Sequence, residues 1–169
     1  MVLAFSVLRF SLYERKTKYL RQKSTALPRA KRQLPNSYIS MNYLTKDELL
    51  DIHAYILERY GGRMGIASQD RLTQVLDTPR QVMFGVELYP DLPSKAAALA
   101  FLIMKSHPFV GANEATALMA LLRFLHINNA RLDEAVDTNL GWLARAVSQS
   151  DLDREGLERW VRENLVMYA

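Results

Sequence analysis

From Ser94 to Ile127 the chain reads SKAAALAFLIMKSHPFVGANEATALMALLRFLHI. Two stretches of ordinary helix length flank a short loop. In the first, Lys95–Ser106, the nine residues Ala96–Met104 are all apolar, so no polar face exists. The second runs from about Asn113 to Ile127 and has only Glu114, Thr116, Arg123 and His126 as polar residues. A helix apolar nearly all round must be buried on most sides, so this pair forms the centre of a domain. Ser94 stands where the cap of the first helix is expected. Nine apolar residues are about half of the ~18 that a membrane span requires, so the pair reads as a core rather than a hairpin in lipid.

Helical patterning continues on both sides. Thr45 and Glu48 have the spacing of a capping box, Leu49, His53, Ile56 and Tyr60 follow on one face, and Gly61-Gly62 ends the element. A second helix starts near Ser68, carries Leu72, Val75 and Leu76 inward, and stops at Pro79. Residues 84–93, Phe-Gly-Val-Glu-Leu-Tyr-Pro-Asp-Leu-Pro, are too rich in Gly and Pro for helix and read as a short hairpin or flap. Two amphipathic helices close the chain, one with Leu140, Leu143, Ala144 and Val147, the other with Leu157, Trp160, Val161 and Leu165, and Trp160 is expected in the core. No alternating run of strand length competes. The expected class is all-α.

The 169 residues suffice for one domain with a sizeable core, and 49% hydrophobic with 24% charged residues is an ordinary globular balance. The net charge of +4 is misleading. Residues 1–40 hold nine Lys/Arg against Glu14 alone, a balance of +8, whereas residues 41–169 carry −4. The segment 1–40 therefore reads as a basic N-terminal extension, disordered or transit-peptide-like, or as a stretch upstream of a true start at Met41; the domain is expected over 41–169. Its Lys16–Arg32 cluster lacks a nucleic-acid-binding fold motif, so nucleic acid is not an expected partner. The chain has no cysteine, which excludes disulfides, thiolate metal sites and a thiol nucleophile and fits a reducing, cytoplasmic setting.

Chemistry is concentrated in the loop Ser106-His107-Pro108-Phe109-Val110-Gly111-Ala112-Asn113-Glu114-Ala115-Thr116. Free N–H groups and the positive end of a helix dipole make such a start an anion site, most often for phosphate. Gly111 and Ala112 let the backbone approach closely, Asn113 is placed to cap the helix or to contact a phosphate, and His107 is the neutral-pH base beside it. A plain loop capped by Asn113, with His107 bonded to backbone, is the competing reading. His53 and His126 have no metal-ligand spacing with His107, and no metal site is expected.

This loop resembles the signature of the Fic/Doc family, named after the cell filamentation and death-on-curing proteins: His-x-Phe-x-(Asp/Glu/Asn)-(Gly/Ala)-Asn-(Gly/Lys)-Arg at the start of a central buried helix. The similarity extends over about residues 43–165, through Tyr43-Leu44-Thr45, Tyr60-Gly61-Gly62, Thr78-Pro79-Arg80, Phe84-Gly85, Glu87-Leu88-Tyr89-Pro90 and Thr116-Ala117-Leu118. It is closest to the small death-on-curing toxins, since Leu118 stands where longer Fic enzymes have a second arginine. The resemblance implies about six helices around a central buried one, with a short β-hairpin flap. It implies transfer of a phosphoryl or nucleotidyl group from ATP or another nucleoside triphosphate, with Mg2+, to a protein hydroxyl. The target would be a protein such as a translation elongation factor, and a small antitoxin is an expected partner. His107 would then be the base, Phe109 the loop anchor, Gly111, Ala112, Asn113 and Thr116 the phosphate and nucleotide site, and Phe84, Gly85, Glu87 and Tyr89 the flap that aligns the target.

The chain also departs from that signature. Gly111 replaces the acid or amide that helps to hold magnesium, Glu114 replaces the Gly or Lys, and Ala115 replaces the phosphate-binding arginine. One missing donor to a transferring phosphoryl group commonly costs ~3–4 kcal/mol. The expectation is therefore either an impaired enzyme, with Glu114 or Glu87 as metal ligand and Arg80 or Lys105 as replacement cation, or an inactive protein-binding module of the same fold.

Overall fold

A computed structural model describes residues 41–137 and 140–168; the expectations for residues 1–40 lie outside the described residues. Among the described residues six helices form: α1 (Lys46–Tyr60), α2 (Gln69–Asp77), α3 (Leu92–Ser106), α4 (Asn113–Ile127), α5 (Gly141–Ser148) and α6 (Arg154–Asn164). A 3-10 turn, Thr78–Arg80, extends α2, and a single helical turn lies at Glu134–Asp137. The expected all-α bundle is what the chain adopts.

Each boundary has a local cause. The Glu48 N–H donates to Thr45 Oγ1 while the Glu48 carboxylate accepts from the Thr45 N–H, which closes the capping box at the start of α1. Partial burial pushes Glu48 up, but the Thr45 N–H and Arg123 outweigh it and hold the carboxyl below its ordinary range. Gly61, at φ 74°, donates to Leu57 and ends the helix.

Helix α3 starts earlier than the sequence pattern suggested. Asp91 is the N-cap, and Ser94 sits at the third helical position, where the two residues exchange side-chain and backbone bonds. Leu92 and Pro93 belong to the first turn, which tolerates proline because that N–H has no partner within the helix. Arg162 of α6 completes the cap, donating to Asp91 at 2.7 Å.

Helix α3 is the hub of the bundle. It packs on α4, α6, α5, α2 and the 3-10 turn, and Ala96–Ala100, Ile103 and Met104 are buried. Leu118, Leu121, Phe124 and Leu125 of α4 are buried as well. The small alanines of α3 let its neighbours approach closely. Trp160 departs from expectation. It is half-buried, with its ring edge-on to the exposed Trp142 at 5.8 Å. Leu140 lies just before α5, and Leu165 belongs to a strand.

Four short strands accompany the helices among the described residues. β1 (Val82–Met83) and β2 (Val86–Glu87) form the expected hairpin, beginning two residues before Phe84. Phe84 and Gly85, at φ 52° and 81°, make its two-residue turn. β3 (Ala130–Leu132) and β4 (Leu165–Met167) pair antiparallel, and three residues each is too short to leave an alternating pattern.

The hairpin is tethered by a buried lysine. Lys95 Nζ donates to Glu87 Oε2 at 2.8 Å and to the Pro79 carbonyl at 3.1 Å, and its side chain is 3% exposed. Glu87→Ala would leave that ammonium with one partner, and a loss of about 1–3 kcal/mol in urea unfolding is expected. Adding Lys95→Met should recover most of it, since an apolar chain needs no counter-charge.

Candidate functional site

The candidate site is the junction of α3 and α4. His107 is the C-cap of α3, in the left-handed region at φ 49° and ψ 65°, and its N–H donates to Ile103 at 3.3 Å. Left-handed backbone in a residue before proline is strained, which marks a position held by its surroundings. The imidazole is exposed, and no hydrogen bond to it forms among the described residues.

The loop after His107 is clamped from two directions. Asn113 Oδ1 accepts from the Phe109 N–H at 3.0 Å, and Asn113 Nδ2 donates to the Phe109 carbonyl at 2.9 Å. From the α1–α2 connection, Ala67 donates to the Pro108 carbonyl at 2.8 Å, Gly65 accepts from Val110 at 3.0 Å, and Ile66 pairs with Phe109 as an antiparallel bridge. Phe109 is thereby pinned in the interior at 2% exposure, its ring stacked on that of His53 at 4.0 Å.

Asn113 does not cap α4. The N-cap is Ala112, left-handed at φ 54°, and no side chain bonds to the free amides there. The first helical bond is made by Thr116, so the N–H groups of Asn113, Glu114 and Ala115 have no partner within the helix. Beside this helix start opens a cleft of about 320 Å³ lined by His107, Val110, Gly111, Ala112, Asn113 and Glu114. A base and two residues with free amides, Asn113 and Glu114, line one cavity large enough for a phosphate.

Of the expected site residues, the cleft brings together His107, Gly111, Ala112 and Asn113. Thr116 lies apart: it is fully buried, and its hydroxyl shares a hydrogen bond with His53 Nδ1 at 3.1 Å. The flap residues Phe84, Gly85, Glu87 and Tyr89 do not line the cleft. Phe84 is 99% exposed, and Tyr89 is covered by the Arg154 guanidinium 5.3 Å from its ring.

The groups considered as replacements for the missing acid and arginine are engaged elsewhere. Glu87 pairs with Lys95, Lys105 donates to Ser150, and Arg80 lies over the Tyr43 ring at 4.5 Å. Glu114 alone lines the cleft, with its carboxylate accepting from the Ser148 hydroxyl. Among the described residues no group of three His, Asp or Glu side chains converges. The cleft thus fits a phosphate through its amides and offers a magnesium ion one carboxylate, the low end of the one or two usually supplied together with substrate phosphates, and that carboxylate already accepts from Ser148.

Two residues act differently from what the sequence suggested. Asn113 works as a strut for Phe109, and the signal for it was its position four residues after the phenylalanine. His53 was read as a core residue, and only the tertiary contact reveals that it packs on the loop anchor.

Comparison with known proteins agrees with this geometry. The model of the Fic/DOC family matches residues 43–125. The chain is 29% identical over 116 residues to the Toxin Doc of Mycolicibacterium smegmatis, covering 68% of this chain and 87% of that protein. It is 27% identical over 115 residues to the Protein kinase doc of Escherichia phage P1, covering 66% and 90%. The matched region contains α1 to α3, the hairpin, the whole His107–Thr116 loop and most of α4, and over it the chain is similar to the Fic/Doc family.

Proposed function

We propose that this protein is a Doc-type toxin of a toxin–antitoxin pair that transfers a phosphoryl or nucleotidyl group from a nucleoside triphosphate to a protein hydroxyl, at a rate lowered by Gly111 and Ala115. The observation that carries the reading is the shared cleft of His107 and the uncapped α4 N-terminus. The free amides of Asn113, Glu114 and Ala115 would hold phosphate oxygens. His107 would accept the proton of the target hydroxyl as its oxygen bonds to phosphorus and the bond to the leaving phosphate breaks. The bound nucleotide supplies the electrophilic phosphorus. Glu114, placed in the lining, would repel phosphate and limit affinity.

The target would be held as an added strand along the hairpin. Val82, Met83, Phe84 and Val86 are each more than half exposed, an apolar edge suited to an extended segment. The same exposed hairpin favours the second reading, a protein-binding module without transfer. A translation elongation factor, a small antitoxin and a cytoplasmic setting belong to the proposal through the family resemblance. No helix among the described residues is long and apolar enough to cross a membrane.

Incubating the full chain and a cell lysate with ATP and Mg2+ distinguishes these readings. Label from the γ-phosphate on a lysate protein identifies phosphoryl transfer, and label from the α-phosphate identifies nucleotidyl transfer. Retention of a lysate protein by the hairpin with neither label identifies the binding module.

A further inference from the structure

His53 stands out among the buried polar groups. It is 3% exposed on α1, its Nδ1 bonds to Thr116 in the first turn of α4, and its face lies on Phe109 with an angle of 11° between the rings. Its Nε2 is buried without any hydrogen-bond partner. Packing alone does not call for histidine here. A phenylalanine would fill the same space without burying an unsatisfied nitrogen.

What the imidazole contributes is a joint between three elements. Its ring sits on the side chain that anchors the loop, and its nitrogen fixes the helix whose amides face the cleft. Phe109, two residues after His107, is in turn bonded through its backbone to the side chain of Asn113, the first residue of α4. We infer that His53 is the positioning residue of the catalytic loop, holding Phe109, and through it His107 and the α4 amides, in place while its ring is neutral. That the loop is catalytic rests on the function proposed above; the packing relation does not.

The dependence on the neutral ring follows from the surroundings. A second ring proton would make both nitrogens donors, and Nε2 has no acceptor. No neighbouring charge compensates. On α1, Asp51 and Glu58 are exposed; on α4, Glu114 is taken by Ser148 and Arg123 by Glu48; Arg71 of α2 donates to Ser106, and Arg63 of the connecting turn is exposed. Burial pushes the His53 imidazole below the ordinary histidine range. Because the folded value is the lower one, the loop's stabilisation is complete above the ordinary value near ~6.5 and is lost as pH falls below it. His126 shifts in the same direction through burial and Arg123, so the comparison must be made against variants at position 53.

Amide hydrogen exchange on the full chain tests this, after correction for intrinsic rates, from pH 7.5 to 5.5. The Phe109 and Val110 amides should open about tenfold more readily across that range in the wild type, while the α3 amides keep their protection. In His53→Phe the loop should lose this pH dependence; Thr116→Val, which keeps the side-chain shape, should loosen the loop at every pH. The same pH profile in wild type and His53→Phe would overturn the inference. So would loop and α3 amides that change together, since that reports global unfolding. If His53→Phe does not fold, direct titration of the His53 ring against loop exchange in the wild type decides the matter, and unlinked midpoints overturn it. Failure of ATP labelling would remove the proposed reaction and leave the exchange result standing.

Discussion

Gly111→Asp combined with Ala115→Arg is expected to raise affinity for ATP with Mg2+, and any transfer rate, by about 10²–10³. The fold leaves room for the aspartate. Gly111 does not occupy the left-handed region, and a Cβ added there would meet only the Arg63 backbone, its oxygen at 3.8 Å and its nitrogen at 4.0 Å. These are ordinary contacts, so the aspartate needs no rearrangement of the loop. It would also give the cleft a second carboxylate beside Glu114, within the usual protein share of a magnesium shell. Ala115 lies in the first turn of α4, where its N–H is free, and an arginine there would add a planar donor for phosphate. A cation at a helix N-terminus costs about 0.3–1 kcal/mol against the dipole, less than one phosphate contact contributes. Calorimetric titration with ATP and Mg2+ provides the measurement. A double variant that melts like the wild type and still shows no binding would mean that the cleft is not a nucleotide site.

His107→Asn should lower transfer by about 10²–10⁴ while changing ATP affinity only a few-fold. Asparagine removes the base yet tolerates the left-handed backbone that His107 adopts, so the variant does not add strain at the end of α3. The imidazole is exposed and bonds to no protein group among the described residues, so little stability is at stake. Label transfer to the lysate target at saturating ATP gives the rate. A fall of less than tenfold would show that the hydroxyl is deprotonated by another group, and the assignment of His107 as base would then be withdrawn.

Much of the architecture is legible in the chain because it depends on local pattern. The capping box of Thr45 and Glu48, the stop at Gly61 and the apolar length of Ala96–Met104 each depend on residues within a turn or two. Asp91 escaped that reading because Pro93 suggested a loop, although proline in the first turn costs a helix nothing. The β3–β4 pair escaped for another reason: its residues, Ala130–Leu132 and Leu165–Met167, are far apart in sequence and too few to show alternation. Trp160 has the spacing of a core residue, yet the bundle leaves it paired with Trp142 near the surface.

Residue identity settled the helical class and pointed to the candidate loop, since helix periodicity, capping and a histidine before a helix start are properties of neighbouring residues. Tertiary packing decided what those residues do. It turned Asn113 into a clamp on Phe109, took Thr116 into the interior against His53, and tied Glu87, Lys105 and Arg80 to partners away from the cleft. The physical reason is the same in each case. A side chain's chemistry is set by the partner that satisfies it, and in these cases the partner comes from another element or another part of the loop.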